Sequence, residues 1–303
     1  MLYEIEKLIK EKLGENAKIV KKLGPTNNQA YIIEDGIKQY IFKTYASKNW
    51  PEDGKLLYVN SLLTKMGVRY AKEIAYDRQY QAFKGGYVIE QKIEGVPGTD
   101  KSLNEEQVKD VYKKMAKYIK EVHKYQFSSY GYLNFGKPDY STLGDYVEDV
   151  MYENYEVLKI YDEFKIENFD SLVKKLCKKL DSFNKKPVLC HGDFSIRNVI
   201  YNDGEVVLID WDDAMALPAY CDIARMTYDL LWLDGNNKDK FKDVFLKEYF
   251  KDGSIEEYKE FEKCYHIFSS FDFLAHSINK KEDKSLKNKI DYLNTLIINL
   301  SNS

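Results

Sequence analysis

The sequence predicts an α+β fold in two lobes, a small antiparallel-sheet lobe over residues 1–94 and a larger, mainly helical lobe over residues 95–303. Three observations predict it. At 303 residues the chain exceeds the usual size of a single core. Strand-like apolar runs separated by turn residues crowd its first third. Apolar residues at helical spacing dominate the rest.

Taken in order, Leu2, Ile5, Leu8, Ile9 and Leu13 recur at helical spacing, and Gly14 follows as a C-cap, so a short helix opens the chain. Lys18 to Leu23, Gln29 to Glu34 and Ile37 to Tyr45 read as strands of an antiparallel meander, with Gly24 to Asn28 as a loop over one edge and Asp35-Gly36 as a hairpin turn. From Glu52 to Met66, Leu56, Val59, Leu63 and Met66 share one helical face that Gly67 ends. Tyr87 to Ile93 reads as a further strand. The turn-rich stretch Glu94-Gly95-Val96-Pro97-Gly98 marks the lobe boundary. Beyond it, helical patterns cover about 104–125, 143–160, 168–183, 217–233 and, with interruptions, 239–300. Between them Val188-Leu189-Cys190 and Val199-Ile200-Tyr201 read as short strands, and Asn202-Asp203-Gly204 turns the second into Glu205 to Ile209.

Composition narrows the function. Forty-four per cent hydrophobic and 31% charged residues are globular values, and 46 Lys and Arg against 49 Asp and Glu leave a net charge of −3. No basic field is available to hold nucleic acid or an anionic membrane, so neither is an expected partner. Four widely spaced cysteines, Cys177, Cys190, Cys221 and Cys264, read as reduced structural thiols. The N-terminus lacks the apolar stretch of a signal peptide, and no run approaches the roughly 18 apolar residues of a spanning helix, so a cytoplasmic location is expected.

The chemistry concentrates in His191-Gly192-Asp193-Phe194-Ser195-Ile196-Arg197-Asn198 and, past the hairpin, Ile209-Asp210-Trp211-Asp212-Asp213. This spacing brings Asp193, Asn198 and Asp210 to one end of a two-stranded ribbon. Mg²⁺ takes such hard oxygen ligands and fills its other positions with water and phosphate. Phosphoryl transfer also needs a carboxylate beside the attacking hydroxyl. Asp193 suits that task while Asn198 and Asp210 hold the metal. Taken singly, these residues are ordinary turn formers; their joint arrangement points to a site.

These stretches resemble the aminoglycoside phosphotransferase and choline kinase superfamily, whose members share a protein-kinase-like fold. They resemble the aminoglycoside phosphotransferase branch more than protein kinases, which carry His-Arg-Asp and Asp-Phe-Gly. The resemblance follows the order of elements over nearly the whole chain and is sharp over residues 188–224. It implies that Asp193 is catalytic, that Asn198 and Asp210 bind Mg²⁺, and that ATP, or alternatively GTP, is the phosphate donor. It also implies that Lys43 on the third strand reaches the α and β phosphates, although a solvent-facing strand lysine would look the same. Gly24 to Asn28 resembles the phosphate-covering loop but holds a single glycine. Glu52, with Asp53 as substitute, either pairs with Lys43 or serves as an acid at the helix start. Backbone groups of Gln91 and Ile93 correspond to the hinge that bonds a purine. His191 and Asp222 read as braces of the catalytic loop, His123 as a core residue, and Asp212 either joins the metal site or is an exposed turn carboxylate.

The acceptor is less legible. Between Asp145 and Asp170 stand nine acids (Asp145, Glu148, Asp149, Glu153, Glu156, Asp162, Glu163, Glu167 and Asp170) against Lys159 and Lys165. Such an excess attracts a polycation such as an aminoglycoside, or is the solvated face of a helix. The expected activity is transfer of a nucleoside triphosphate's γ-phosphate to a small-molecule hydroxyl. An aminoglycoside is the first candidate, and choline, ethanolamine, a sugar or an amino alcohol the alternative. A non-catalytic nucleotide-binding protein is the third reading, and the intact set of Lys43, Asp193, Asn198 and Asp210 argues against it.

Overall fold

The computed structural model describes residues 1–24, 28–133, 136–161, 164, 166–233, 237–251, 253, 255–278 and 286–301. Its first part is α1 (Leu2–Leu13), β1 (Lys18–Lys22), β2 (Gln29–Glu34), β3 (Gln39–Thr44), α2 (Lys55–Lys65), β4 (Glu73–Asp77) and β5 (Tyr87–Gln91). The strands form one antiparallel sheet in the order β1-β2-β3-β5-β4. At the turn between β2 and β3, the Asp35 carboxylate accepts the N–H groups of Ile37 and Lys38 at 2.8 and 2.7 Å. Alternation along the strands splits the sheet into two faces. Tyr31, Ile33, Phe42, Tyr87 and Ile89 bury against Ile5, Leu8 and Ile9 of α1. On the other face Tyr45 and Val88 pack with Leu56 of α2. Lys43 pairs in register with Val88 and so shares this second face.

The second part follows with β6 (Val96–Pro97), α3 (Glu105–Val122), β7 (Gly131–Tyr132), α4 (Leu143–Leu158), α5 (Phe169–Ser182), β8 (Pro187–Cys190), β9 (Val199–Asn202), β10 (Glu205–Leu208), β11 (Met215–Pro218), α6 (Ala219–Trp232), α7 (Lys238–Tyr249), α8 (Glu256–Ser277) and α9 (Leu286–Ser301). Capping boxes start α3 at Asn104 with Gln107 and α4 at Thr142 with Asp145. These helices close one large core that includes Met115, Ile119, Val147, Leu176, Phe261 and Phe271. The β9–β10 hairpin turns at Asp203 and Gly204, with φ of 48° and 80°. This is the kinase-like arrangement of a small sheet followed by a mostly helical part.

Several elements differ from expectation. The edge strand β4 has no counterpart in the predicted elements, because Glu73-Ile74-Ala75-Tyr76-Asp77 mixes charge with apolar residues and carries a register shift against β5. The helix expected from residue 217 starts at Ala219, since Met215–Pro218 pairs as a strand with β8 and β7. The helix expected from Glu52 begins at Lys55, behind a left-handed Gly54 with φ 79°. The loop at Gly24 to Asn28 lies largely outside the described residues, at 25–27, as do Asp162, Glu163 and Lys165 of the acidic stretch.

Candidate active site

The loop of residues 191–198, the candidate catalytic loop, is built by backbone geometry before any side chain matters. Gly192 has φ 81°, and a Cβ there would stand 1.8 Å from the Asp213 carbonyl oxygen, so only glycine fits. Ser195 caps the short 3₁₀ turn Ile196–Asn198 by accepting the Arg197 N–H. Asp210, at the end of the hairpin, holds a left-handed φ of 64°. A non-glycine residue in that region is uncommon, and Asp tolerates it better than most.

Helix α6 braces this loop along one face. Asp222, Arg225 and Asp229 recur at i, i+3 and i+7. The Asp222 carboxylate accepts the N–H groups of His191 and Gly192 at 2.7 and 3.0 Å. Asp229 accepts Ser195 Oγ at 2.6 Å and pairs with Arg197. Arg225 donates to Asp193 Oδ1 from Nη2 at 2.9 Å and Nε at 3.3 Å. His191 faces the Ile209 carbonyl at 3.0 Å through Nε2, tying the loop to the strand that leads to Asp210. His123 sits 3.2 Å from Asp222 and 2.8 Å from the Tyr249 hydroxyl. His123, Cys190 and Asp222 form a buried trio whose spacing would suit a metal. Their bonds are already committed, since the Cys190 thiol donates to the Leu217 carbonyl and Asp222 to the loop amides. It is a brace.

Asp193 has both oxygens engaged. Asn198 Nδ2 donates to its Oδ2 and to its backbone carbonyl, each at 2.9 Å, which turns the Asn198 amide oxygen away from Asp193. Burial raises the Asp193 carboxyl, but the Arg225 charge and hydrogen bonds outweigh it, with His191 and Asn198 adding to the pull, so it settles at about 2. Such a group accepts a hydrogen bond from a hydroxyl throughout the physiological range.

Across the cleft, Lys43 Nζ stands 3.0 Å from Asp210 Oδ1 and 2.7 Å from Asp212 Oδ2. Burial disfavours its charge, yet the two carboxylates hold the ammonium well above its ordinary value. Lys43 in turn holds Asp210 down, whereas burial pushes Asp212 up. Asp212 is buried, so it is not the exposed turn carboxylate allowed by the sequence; Tyr45 Oη also lies 3.4 Å from it. Asp213, accepting the Trp50 indole N–H at 2.9 Å, is pushed up to about 6 by burial and then by Asp193, Asp210 and Asp212. Burial, followed by the pull of Lys43 and the repulsion of Asp212 and Asp210, leaves Glu90 at about 7.

Asp193, Asp210, Asp212 and Asp213 thus face Lys43 and Arg225, four carboxylates against two cations. Burial is the first cause of the raised Asp212 and Asp213 carboxyls, and repulsion from neighbouring carboxylates adds to it, as befits a deficit of positive charge. One divalent cation would cancel it. Mg²⁺ needs only one or two protein carboxylates, all the donors here are hard oxygens, and the Asp210 side chain is 51% exposed on the cleft side, so the residues fit the ion.

Glu52 does not reach Lys43. Because α2 begins three residues later than expected, Glu52 lies in the preceding turn, where Oε2 pairs with Lys55 Nζ at 2.9 Å. Asp53 is committed to Tyr76 and Gln79, at 3.2 and 3.3 Å. Asp212 takes the place expected of either acid. At the end of β5, the Gln91 N–H is spent on the Lys72 carbonyl at 2.8 Å.

Trp50 and Arg225 were not singled out as site residues in the sequence. Arg78 donates to the carbonyls of Ser47 and Pro51 at 3.0 and 2.9 Å, shaping the loop that carries Trp50 to Asp213 and edge-on against Tyr132. Glu153, Asp272 and Glu52 act on Tyr132, which burial and these charges push up to about 12. Four acids of the stretch have other partners: Asp145 caps α4, Asp149 and Asp170 take tyrosine hydroxyls, and Glu156 pairs with Lys159. A polar periodicity on the buried helix α6 is the signal by which Arg225 could have been found.

Comparison with known proteins follows the geometry. Residues 24–261 match the model of the phosphotransferase enzyme family, APH. Aminoglycoside phosphotransferase APH(4)-Ia, as a thermostable mutant in ternary complex with ADP and hygromycin B, superposes with a TM-score of 0.76 at 17% identity, covering 97% of this chain and 98% of that one. Choline kinase LicA from Streptococcus pneumoniae gives 0.65 at 18% identity, covering 99% and 100%. No curated protein matches the chain.

Proposed function

The chain belongs to the phosphotransferase enzyme family, and from that premise we propose that it is a Mg²⁺-dependent O-phosphotransferase. It moves the γ-phosphate of a nucleoside triphosphate, ATP first and GTP as the alternative, to a hydroxyl of a small molecule. The nucleotide occupies the lobe of residues 1–94, and the lobe of residues 95–303 supplies the catalytic loop and the acceptor site. The observation that carries this reading is the convergence of Lys43 with Asp210 and Asp212 across the cleft from the Asp193–Asn198 pair.

In the reaction Lys43 releases its carboxylates and binds the α and β phosphates. Asn198 and Asp210 are the residues that would hold Mg²⁺, which when bound would supply positive charge against the charge that develops on the phosphates. Asp193 accepts the hydrogen bond of the acceptor hydroxyl, aligns it with the phosphorus and receives its proton late, as suits a weakly basic carboxylate in a loose transition state. The Gln91 carbonyl and Ile93 backbone take the base edge.

An amine-bearing acceptor suits the cleft best. Tyr132 offers aromatic surface, and Glu153 offers negative charge beside it. An aminoglycoside-type antibiotic is the first candidate and choline, ethanolamine, a sugar or an amino alcohol the second. A nucleoside triphosphate donor makes the cytoplasm the proposed location; separately, no helix among the described residues is long and apolar enough to cross a membrane. The test is a coupled nucleotide-turnover assay across these acceptors, run beside Asp193→Asn. Stimulation by one of them, abolished in the variant, is expected; equal turnover by parent and variant with every acceptor overturns the reading.

A further inference from the structure

Of the three polar residues that α6 turns towards the catalytic loop, Asp222 and Asp229 are spent on loop amides, a serine hydroxyl and Arg197. Arg225 differs, because its partner is the carboxylate nearest the chemistry. Two of its donors, Nη2 at 2.9 Å and Nε at 3.3 Å, converge on the single oxygen Oδ1 of Asp193, while Asn198 holds Oδ2. The guanidinium is itself fixed from the far side. Its central carbon lies 3.9 Å from the centre of the Phe273 ring, and Nη1 lies 3.8 Å from Asp272 Oδ2, both on α8.

The torsion of an aspartate carboxylate about its last bond is soft and roughly two-fold. A single hydrogen bond from Asn198 to Oδ2 limits it weakly, since that amide also bonds the Asp193 backbone. A planar fork on Oδ1, stacked on an aromatic ring, removes the freedom that remains. Lysine could supply the charge but not the fork. Both donors of the fork fall on Oδ1, so Oδ2, bonded only by Asn198, is the oxygen with lone-pair capacity for a further hydrogen bond.

We infer that Arg225 is a positioning residue for phosphoryl transfer, setting the plane of the Asp193 carboxylate towards the acceptor hydroxyl, and that Phe273 and Asp272 make this setting a property of α8. The inference rests on the reading of Asp193 as the carboxylate that meets the acceptor. A plain structural ion pair would instead stabilise the fold and leave turnover per folded molecule alone.

The variants Arg225→Met, Arg225→Lys and Phe273→Leu separate these roles in the full-length protein. Methionine keeps apolar volume over Phe273 and removes every donor. Crystal structures of parent and variants read the Asp193 orientation directly, calorimetry with Mg-ATP reads nucleotide affinity, and the turnover assay reads kcat with the best acceptor of the panel. In Arg225→Met the carboxylate is expected to turn or to split between two orientations. Its kcat should fall about 10- to 100-fold, the scale on which small misplacements act, with Mg-ATP affinity within about twofold of the parent. Arg225→Lys should recover part of the loss. Phe273→Leu, which keeps the pair but loosens its support, should lose less. If Arg225→Met fails to fold, the other two variants carry the test. An unmoved carboxylate with kcat within about twofold, or nucleotide affinity falling in step with kcat, overturns the inference. Should the parent turn over no acceptor while the Arg225→Met carboxylate is displaced, the phosphotransferase reading falls and the positioning of Asp193 stands.

Discussion

Replacing Lys43 by methionine removes one cation from between two carboxylates and leaves most of its alkyl volume in place. The two contacts are unequal. Asp212 pairs at 2.7 Å with 8% of its side chain exposed, whereas Asp210 pairs at 3.0 Å with 51% exposed, so water screens the second. At 2.7 Å and an effective dielectric constant of about 20, the Asp212 attraction alone is roughly 6 kcal/mol. The variant need not bear all of that, because Asp212 can take a proton. At about pH 7.5, protonating a carboxylate of ordinary value near 3.9 costs roughly 5 kcal/mol, which caps the loss. Removal of one partner from a buried pair costs about 3–5 kcal/mol, inside that cap. The sign of the pH dependence follows. Burial already raises the folded-state value of Asp212, and loss of Lys43 raises it further, so the contribution that Lys43 protects is intact below the unfolded value and lost as pH rises through the folded one. The cap at about pH 5 is only about 1.5 kcal/mol. Lys43→Met is therefore expected to lose about 3–5 kcal/mol near pH 7.5 and about 1–2 kcal/mol near pH 5. Urea titrations of parent and variant at both pH values, without Mg²⁺, measure it through tryptophan fluorescence, which Trp50 and Trp211 report from the site itself. A loss below about 1 kcal/mol near pH 7.5, or the same loss at both pH values, would refute the claim that Lys43 neutralises Asp212.

Other substitutions probe the remaining parts. Asp193→Asn should lower kcat by about 10²- to 10⁴-fold while calorimetric Mg-ATP affinity holds, because the amide orients a hydroxyl but takes no proton. Asp210→Ala should abolish Mg²⁺-dependent nucleotide binding; unchanged affinity and unchanged turnover would remove Asp210 from the metal site. Asp213→Asn should raise stability at neutral pH. Its carboxyl sits at about 6 when folded, so its contribution is present below the unfolded value and lost as pH rises through about 6. The asparagine lifts that cost, by at most about 3 kcal/mol near pH 7.5 and almost nothing near pH 4, as paired unfolding midpoints at the two pH values will show.

Much of this architecture was legible because local chemistry and tertiary packing agree. Asn202-Asp203-Gly204 turns where its positive φ values require, and Asn104 and Thr142 cap the helices that they precede. Along β3 alternation turns Phe42 against α1 and leaves its neighbour Lys43 on the opposite face, which the strand pattern alone could not tell from a solvent-facing lysine. Where the reading failed, long-range partners decided. Met215–Pro218 is too short and apolar to be told from the helix behind it until β8 pairs with it. Glu52 looked inward only on a helix that started early; Gly54 breaks that register. Arg225 shares the polar periodicity of α6 with Asp222 and Asp229, but its partner Asp193 lies 32 residues away and meets it only when α6 docks on the loop. The acids of α4 read as one negative surface, yet most are consumed by caps, tyrosines and a lysine, which no charge count reveals.

The replacement of Glu52 by Asp212 as partner of Lys43 changes how the two lobes are coupled. The buried residues of α2, Lys55, Leu56, Val59, Asn60, Leu62 and Leu63, include no carboxylate, so the helix beside Lys43 cannot hold it. Both acids that do hold it come from the hairpin end in the second part of the chain. The ammonium therefore bridges the cleft before nucleotide arrives, and Trp50 adds a second bridge to Asp213. In the proposed reaction the triphosphate must take Lys43 from these acids, which alone would strand a buried Asp212 at a cost of several kcal/mol. Mg²⁺ arriving with the nucleotide offsets that loss by supplying two positive charges where Lys43 withdraws one. Nucleotide without the metal should accordingly bind poorly even though Lys43 is intact, and the proposed metal requirement would follow from the charge of the protein as much as from that of the phosphates.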